Sequence, residues 1–187
     1  HIGDDYVPNQ DMQNAVRLLQ EKGYELIVAT TPVVPLIANQ ERVRWSGLAD
    51  IPWKDITSFE TYNYSKPNLN YYQQICDKYN LNPAECMMIG DSLVKDFPST
   101  ELGMDFFLIL NADSPEAEQN FAGKKGDRKA LLEGILDGTI PQEKHRHYLQ
   151  IVSGETKRLN RLVRSMLDIS RLQDQGGIPE EQKLRFD

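Results

Sequence analysis

The sequence predicts an α/β fold built on a parallel sheet, followed by an α-helical hairpin. Two observations predict it. Short apolar runs bounded by turn-forming residues alternate with helix-like stretches, the pattern of strand–helix units around a parallel sheet. From about Lys129 the texture changes to a long amphipathic stretch nearly without Gly or Pro. Charge steps at the same place: residues 1–125 carry 18 Asp+Glu against 10 Lys+Arg, a net of −8, and residues 126–187 carry 10 against 11, a net of +1.

In chain order, Asp11–Lys22 reads as a helix, with Met12, Val16, Leu18 and Leu19 apolar and Gly23 as its stop. Glu25–Thr30 (ELIVAT) is too short for a helix and reads as a buried strand. A weaker strand is expected at Ile56–Tyr62. Pro67 opens a helix carrying Leu69, Tyr72, Ile75 and Tyr79, which ends before Asn82-Pro83. Cys86–Gly90 (CMMIG) is the second clear strand. Leu93–Leu102 reads as a helix bent or restarted at Pro98 and ended by Gly103. Asp105–Leu110 (DFFLIL) is the third clear strand. Ala130–Leu136 reads as a short helix, broken by Gly138-Thr139-Ile140-Pro141. A helix is then expected from Gln142 to Leu172, with Gly154 its only glycine, before the loop Gln173–Pro179. Leu184-Arg185-Phe186-Asp187 reads as the start of another strand.

Composition narrows the function classes. The acidic first part argues against nucleic acid as a partner, since phosphate backbones need a basic surface. Cys76 and Cys86 are the only cysteines and lack close metal-ligand spacing. They read as ordinary thiols of a cytoplasmic protein. No apolar run reaches the ~18 residues of a membrane span, and no signal peptide is visible. The sequence starts at His1 rather than Met, consistent with a start inside a longer parent.

Residues at the carboxyl ends of parallel strands build the site of an open α/β sheet. Met87-Met88-Ile89-Gly90-Asp91 ends a strand on a carboxylate, and Asp96 follows five residues later. Two acids there suit a hard, oxygen-seeking cation such as Mg2+. Gly90 allows a sharp turn beneath them. The plainer alternative is that Asp91 and Ser92 cap the next helix. Thr30 and Thr31 end the earlier strand on hydroxyls able to meet a phosphate oxygen. Ser65-Lys66-Pro67 sets a lysine at a helix start, where a compact cation neutralises phosphate charge.

The order hydroxyl, lysine, GDxxxxD resembles motifs II, III and IV of the haloacid-dehalogenase superfamily over about residues 1–121. The resemblance implies a Rossmann-like sheet, Mg2+ at Asp91 and Asp96, phosphate at Thr30, Thr31 and Lys66, catalytic roles for Thr30 and Lys66, and a small phosphorylated substrate. That family also begins with a strand ending in D-x-D, central to the sheet, whose first Asp attacks phosphorus. Here no two aspartates stand two residues apart. The covalent step needs that nucleophile, so the expected fold lacks its first strand and the chain is expected to be inactive alone.

In the long helical stretch, Val152, Thr156, Leu159, Val163 and Met166 step by four and three residues, a coiled-coil-like seam. The wording HYLQIV, ETKRL and RLVRSMLDISRL, after GILDGTIP, resembles the dimerisation hairpin of sensor histidine kinases over about residues 130–187. Residues 122–129 then form a linker, and the chain is expected to form a homodimer through 142–172. Neither His145 nor His147 has the following residues of that family's phospho-accepting histidine, so both read as solvated helix residues. No ATP-binding motif follows, and kinase activity is not expected. Two functions therefore stand: a Mg2+-dependent phosphohydrolase core, and a non-catalytic dimerising module.

Overall fold

The computed structural model describes residues 7–140 and the backbone of 147–150. The chain divides into two units, 1–153 and 154–187, and all described residues lie in the first. Its elements are α1 (Gln10–Glu21), β1 (Glu25–Val28), α2 (Leu36–Trp45), β2 (Asp55–Ile56), α3 (Leu69–Tyr79), β3 (Cys86–Gly90), β4 (Asp105–Ile109), α4 (Glu116–Gln119), β5 (Lys125–Gly126), α5 (Arg128–Asp137) and β6 (His147–Gln150). Short 3-10 turns precede β3 at Pro83–Glu85 and β4 at Phe97–Leu102.

The sheet is wholly parallel, in the order β2-β1-β6-β3-β4-β5. Side chains of successive strand residues face opposite ways, and β1, β3 and β4 each feed two cores. Leu26, Val28, Met87, Ile89, Phe107 and Ile109 pack with Val16 and Leu19 of α1 and Leu131 and Ile135 of α5. Ile27, Met88, Phe106 and Leu108 pack with Tyr71, Tyr72 and Ile75 of α3. The result is a three-layer α/β/α sandwich. It accounts for why the strands read as continuous apolar runs, being covered on both faces.

Local chemistry sets the helix ends. The Asn9 side chain accepts from the Met12 N–H at 2.9 Å to start α1, and Asp127 accepts from the Ala130 N–H at 2.8 Å to start α5, satisfying N-terminal amides that the helix itself cannot. Gly138, at φ 80°, ends α5 in the left-handed region.

Four expectations need correction. His147–Gln150 form strand β6 and not helix, so the helix expected at Gln142–Leu172 does not run unbroken; residues 141–146 and 151–187 lie outside the described residues, and with them the whole seam, the homodimer expected through it and the last strand. The span 122–129 is no linker: β5 joins the sheet, and α5 packs against α1. Leu93–Leu102 is helical only from Phe97, as a 3-10 turn, because Asp96 and Ser92 tie the preceding residues into a loop. The middle of the sheet is not open: β6 pairs with β1 on one side and β3 on the other.

Candidate functional site at the carboxyl edge of the sheet

Gln150, the last residue of β6, is in register with Val28 of β1 and with Ile89 of β3. Thr30 and Asp91 each lie two residues beyond that rung, on chains one strand apart on either side of β6. Neighbouring strands are about 4.8 Å apart, so the chains that carry the two residues run about 10 Å apart at that rung. Between them β6 contributes the sequence His147-Tyr148-Leu149-Gln150, with no carboxylate.

Thr30 is 7% exposed. Its N–H donates to Thr57 Oγ1 at 3.0 Å, and its carbonyl accepts from Tyr71 Oη at 2.8 Å. The Thr30 hydroxyl has no hydrogen-bond partner among the described residues. Thr31, beside it, accepts at its carbonyl from the Val33 N–H.

Lys66 precedes a cis bond to Pro67. Its Nζ donates to Asp96 Oδ1 at 2.8 Å, with both side chains only 2% exposed. Asp96 Oδ2 accepts from the Ser92 N–H at 3.1 Å. Burial pushes Lys66 below the usual lysine range, against the pull of Asp96, and pushes Asp96 above the usual carboxylate range, against the pull of Lys66. A lysine ammonium carries three donors. Only one has a partner among the described residues.

Gly90 lets this pair exist. A Cβ there would sit 2.4 Å from Asp96 Oδ2 and 2.6 Å from Asp96 Cγ, inside any allowed contact. Asp91, next in sequence, is half-buried and makes no hydrogen bond or ion pair among the described residues. Of the capping role considered for Asp91 and Ser92, Ser92 Oγ accepts from the Lys95 N–H at 3.3 Å, while Asp96 closes the 91–96 loop through the Ser92 N–H. Tyr72 Oη donates to the Lys95 carbonyl, pinning that loop to α3.

The residues expected from sequence therefore sit on one edge: Thr30 and Thr31 after β1, Lys66 after β2, Asp91 and Asp96 after β3. Asp96 differs from expectation in its contacts, since both its oxygens take protein donors. Sequence reasoning missed Thr57, Tyr71 and Asn39. Asn39 Nδ2 donates to the Thr57 carbonyl at 2.8 Å. The available signal was a hydroxyl directly after a short strand at Ile56-Thr57. Tyr71 and Asn39 had none, because the hydroxyl and amide work from helices that periodicity reads only for apolar packing. No group of three or more His, Cys, Asp or Glu assembles into a metal cluster among the described residues.

A family model for a haloacid dehalogenase-like hydrolase matches residues 2–101. No curated protein matches the chain in sequence. Among solved structures, the chain is similar to an HAD phosphatase from Thermococcus onnurineus, with a TM-score of 0.56 and 22% identity over 74% of this chain and 59% of that one. It is similar to a putative beta-phosphoglucomutase from Thermotoga maritima, with a TM-score of 0.58 and 17% identity over 69% and 60%. It is also similar to the putative HAD-hydrolase YfnB from Bacillus subtilis, bound to magnesium, with a TM-score of 0.52 and 24% identity over 67% and 54%. At these identities the likeness is one of fold. The chain spans 54–60% of the length of these three structures, and none of the three is a histidine kinase.

Proposed function

The chain belongs to the haloacid dehalogenase-like hydrolase family, and on that premise we propose that it is a phosphohydrolase core that binds a small phosphorylated metabolite but does not turn it over by itself. One observation carries the reading. The buried Lys66 ammonium has two donors without partners among the described residues. A buried cation with unspent donors is costly, and a phosphate oxygen offsets that cost. Thr30 adds a hydroxyl from the same edge.

Mg2+ suits this edge in part. Asp91 offers an uncommitted carboxylate to an ion that completes its octahedron with water and phosphate. Asp96 offers less, because Lys66 and the Ser92 N–H already hold its two oxygens. In this reading Asp91 is the direct ligand and Asp96 acts through water and through Lys66. Bound there, the ion would offset phosphate charge. The roles left to the chain are electrostatic and positional: Thr30 and Thr31 orient the phosphate, Lys66 neutralises it, and Asp96 holds Lys66. Covalent catalysis needs a nucleophile, and the sequence has no D-x-D to supply one. No comparison and no described residue supports the rival, a dimerising module derived from a kinase.

Hydrolysis of an aryl phosphate with Mg2+ tests the inactivity. The expected result is no turnover above a mock preparation. Turnover abolished by Lys66→Met would overturn it.

A further inference from the structure

We infer that Thr57 and Tyr71, which no motif singled out, are positioning residues that lock the main chain of Thr30 so that its hydroxyl faces a bound phosphate. The inference rests on the phosphate reading above.

The β1–β2 ladder ends early, at Val28 opposite Ile56. One more bond follows it, from the Thr57 N–H to the Val28 carbonyl at 3.0 Å. Past that point β2 offers no regular backbone partner, and two side chains take over. Thr57 Oγ1 accepts from the Thr30 N–H at 3.0 Å, and lies 2.9 Å from the Thr30 carbonyl and 3.0 Å from Tyr71 Oη. Tyr71 Oη donates to that same carbonyl at 2.8 Å. Each hydroxyl has one proton. Tyr71 spends its proton on Thr30, and Thr57 has the Thr30 carbonyl, Tyr71 Oη and, at 3.3 Å, the Val28 carbonyl as acceptors for its own. Both amide groups of Thr30 are held, while its side chain stays outside the network.

Thr57 and Tyr71 are 0% exposed. Two buried hydroxyls in place of apolar groups give the core nothing that Val and Phe would not. They matter where a main chain must leave a sheet without unpaired polar groups and stop at a fixed point.

The test is titration calorimetry of the intact chain with inorganic phosphate, paired with amide hydrogen exchange read by NMR. Thr57→Val keeps the shape and removes the hydroxyl, Thr57→Ser restores it, and Tyr71→Phe removes the other. In Thr57→Val and Tyr71→Phe, exchange at Thr30 should accelerate at least about tenfold while Met88 and Ile89 stay protected, and phosphate should bind about tenfold more weakly. Thr57→Ser should stay within about twofold of wild type. Faster exchange at Thr30 with undiminished phosphate affinity would overturn the inference, leaving a purely structural network. Unchanged exchange in Tyr71→Phe would overturn it too. A wild type that shows this exchange pattern on mutation yet binds no phosphate would instead overturn the phosphate reading on which it rests.

Discussion

The Lys66 ammonium and the Asp96 carboxylate meet at 2.8 Å inside the protein, each side chain 2% exposed. Their contact joins the segment after β2 to the loop after β3. Removing one partner of a buried pair strands the other, at a typical cost of 3–5 kcal/mol, whereas replacing both by apolar groups is often neutral. Asp96→Ala should therefore destabilise the chain by about 4 kcal/mol, and Lys66→Met with Asp96→Leu should cost much less. Urea denaturation of the two variants checks the order.

The same pair sets a pH dependence. Asp96 has a folded pKa raised by burial, so between the unfolded carboxylate value and that raised value the folded state holds more protons than the unfolded state. Stability from this group is fully present below the unfolded pKa and falls as pH rises through the folded one. Lys66 is lowered, so between its folded value and the ordinary lysine range the unfolded state holds more protons and stability rises with pH. Asp96→Asn should remove the acid-side decline. Urea midpoints from pH 4 to 7, without added metal, should fall less steeply for Asp96→Asn than for wild type.

Gly90→Ala should act at a distance from its own strand. The new methyl would meet the Asp96 carboxylate at 2.4–2.6 Å, forcing it off Lys66 and off the Ser92 N–H. Overpacking of this kind costs about 1–3 kcal/mol, and the broken pair adds to it. Thermal unfolding should show a loss well beyond that of an alanine at an exposed, ordinary helical position, such as Gln20→Ala on α1.

How far the sequence revealed this architecture depended on what each segment buries. Cys86–Gly90 was legible residue for residue, because a strand covered on both faces must be apolar throughout. Glu25–Val28 and Asp105–Ile109 came out one or two residues shorter than expected, since Thr30 leaves the ladder to be held by side chains. Helix α2 was not legible: its buried residues are Asn39 and Val43, and a buried amide bonded to the Thr57 carbonyl leaves no apolar periodicity to read. β5 is two residues long, Lys125-Gly126, with no apolar character at all. β6 misled, because HYLQ reads equally well as a turn of an amphipathic helix, and only its place between β1 and β3 makes it a strand. That Thr30, Lys66, Asp91 and Asp96 share one edge of the sheet was legible in their order along the strand–helix units; a role for them in binding is part of the proposal. The partner of Asp96 was not legible, since a contact across thirty residues leaves no local pattern.

β6 gives a prediction of its own. Ending the chain at residue 140 would expose the facing edges of β1 and β3, which otherwise pair with β6. Unpaired interior edges invite association with other chains. The shortened chain should lose its cooperative thermal transition and aggregate at micromolar concentration. Light scattering during a melt would show it, and a sharp reversible transition would mean that the sheet closes without β6.

The central claim is that Thr30 and Lys66 form a phosphate site on this edge. Calorimetric titration of the 187-residue chain with inorganic phosphate in the presence of Mg2+ tests it most directly. Saturable one-site binding is predicted, weakened at least about tenfold in Lys66→Met and several-fold in Thr30→Val, with the Thr30→Val chain as stable as wild type. Absence of saturable binding, or binding that neither substitution weakens, would contradict it.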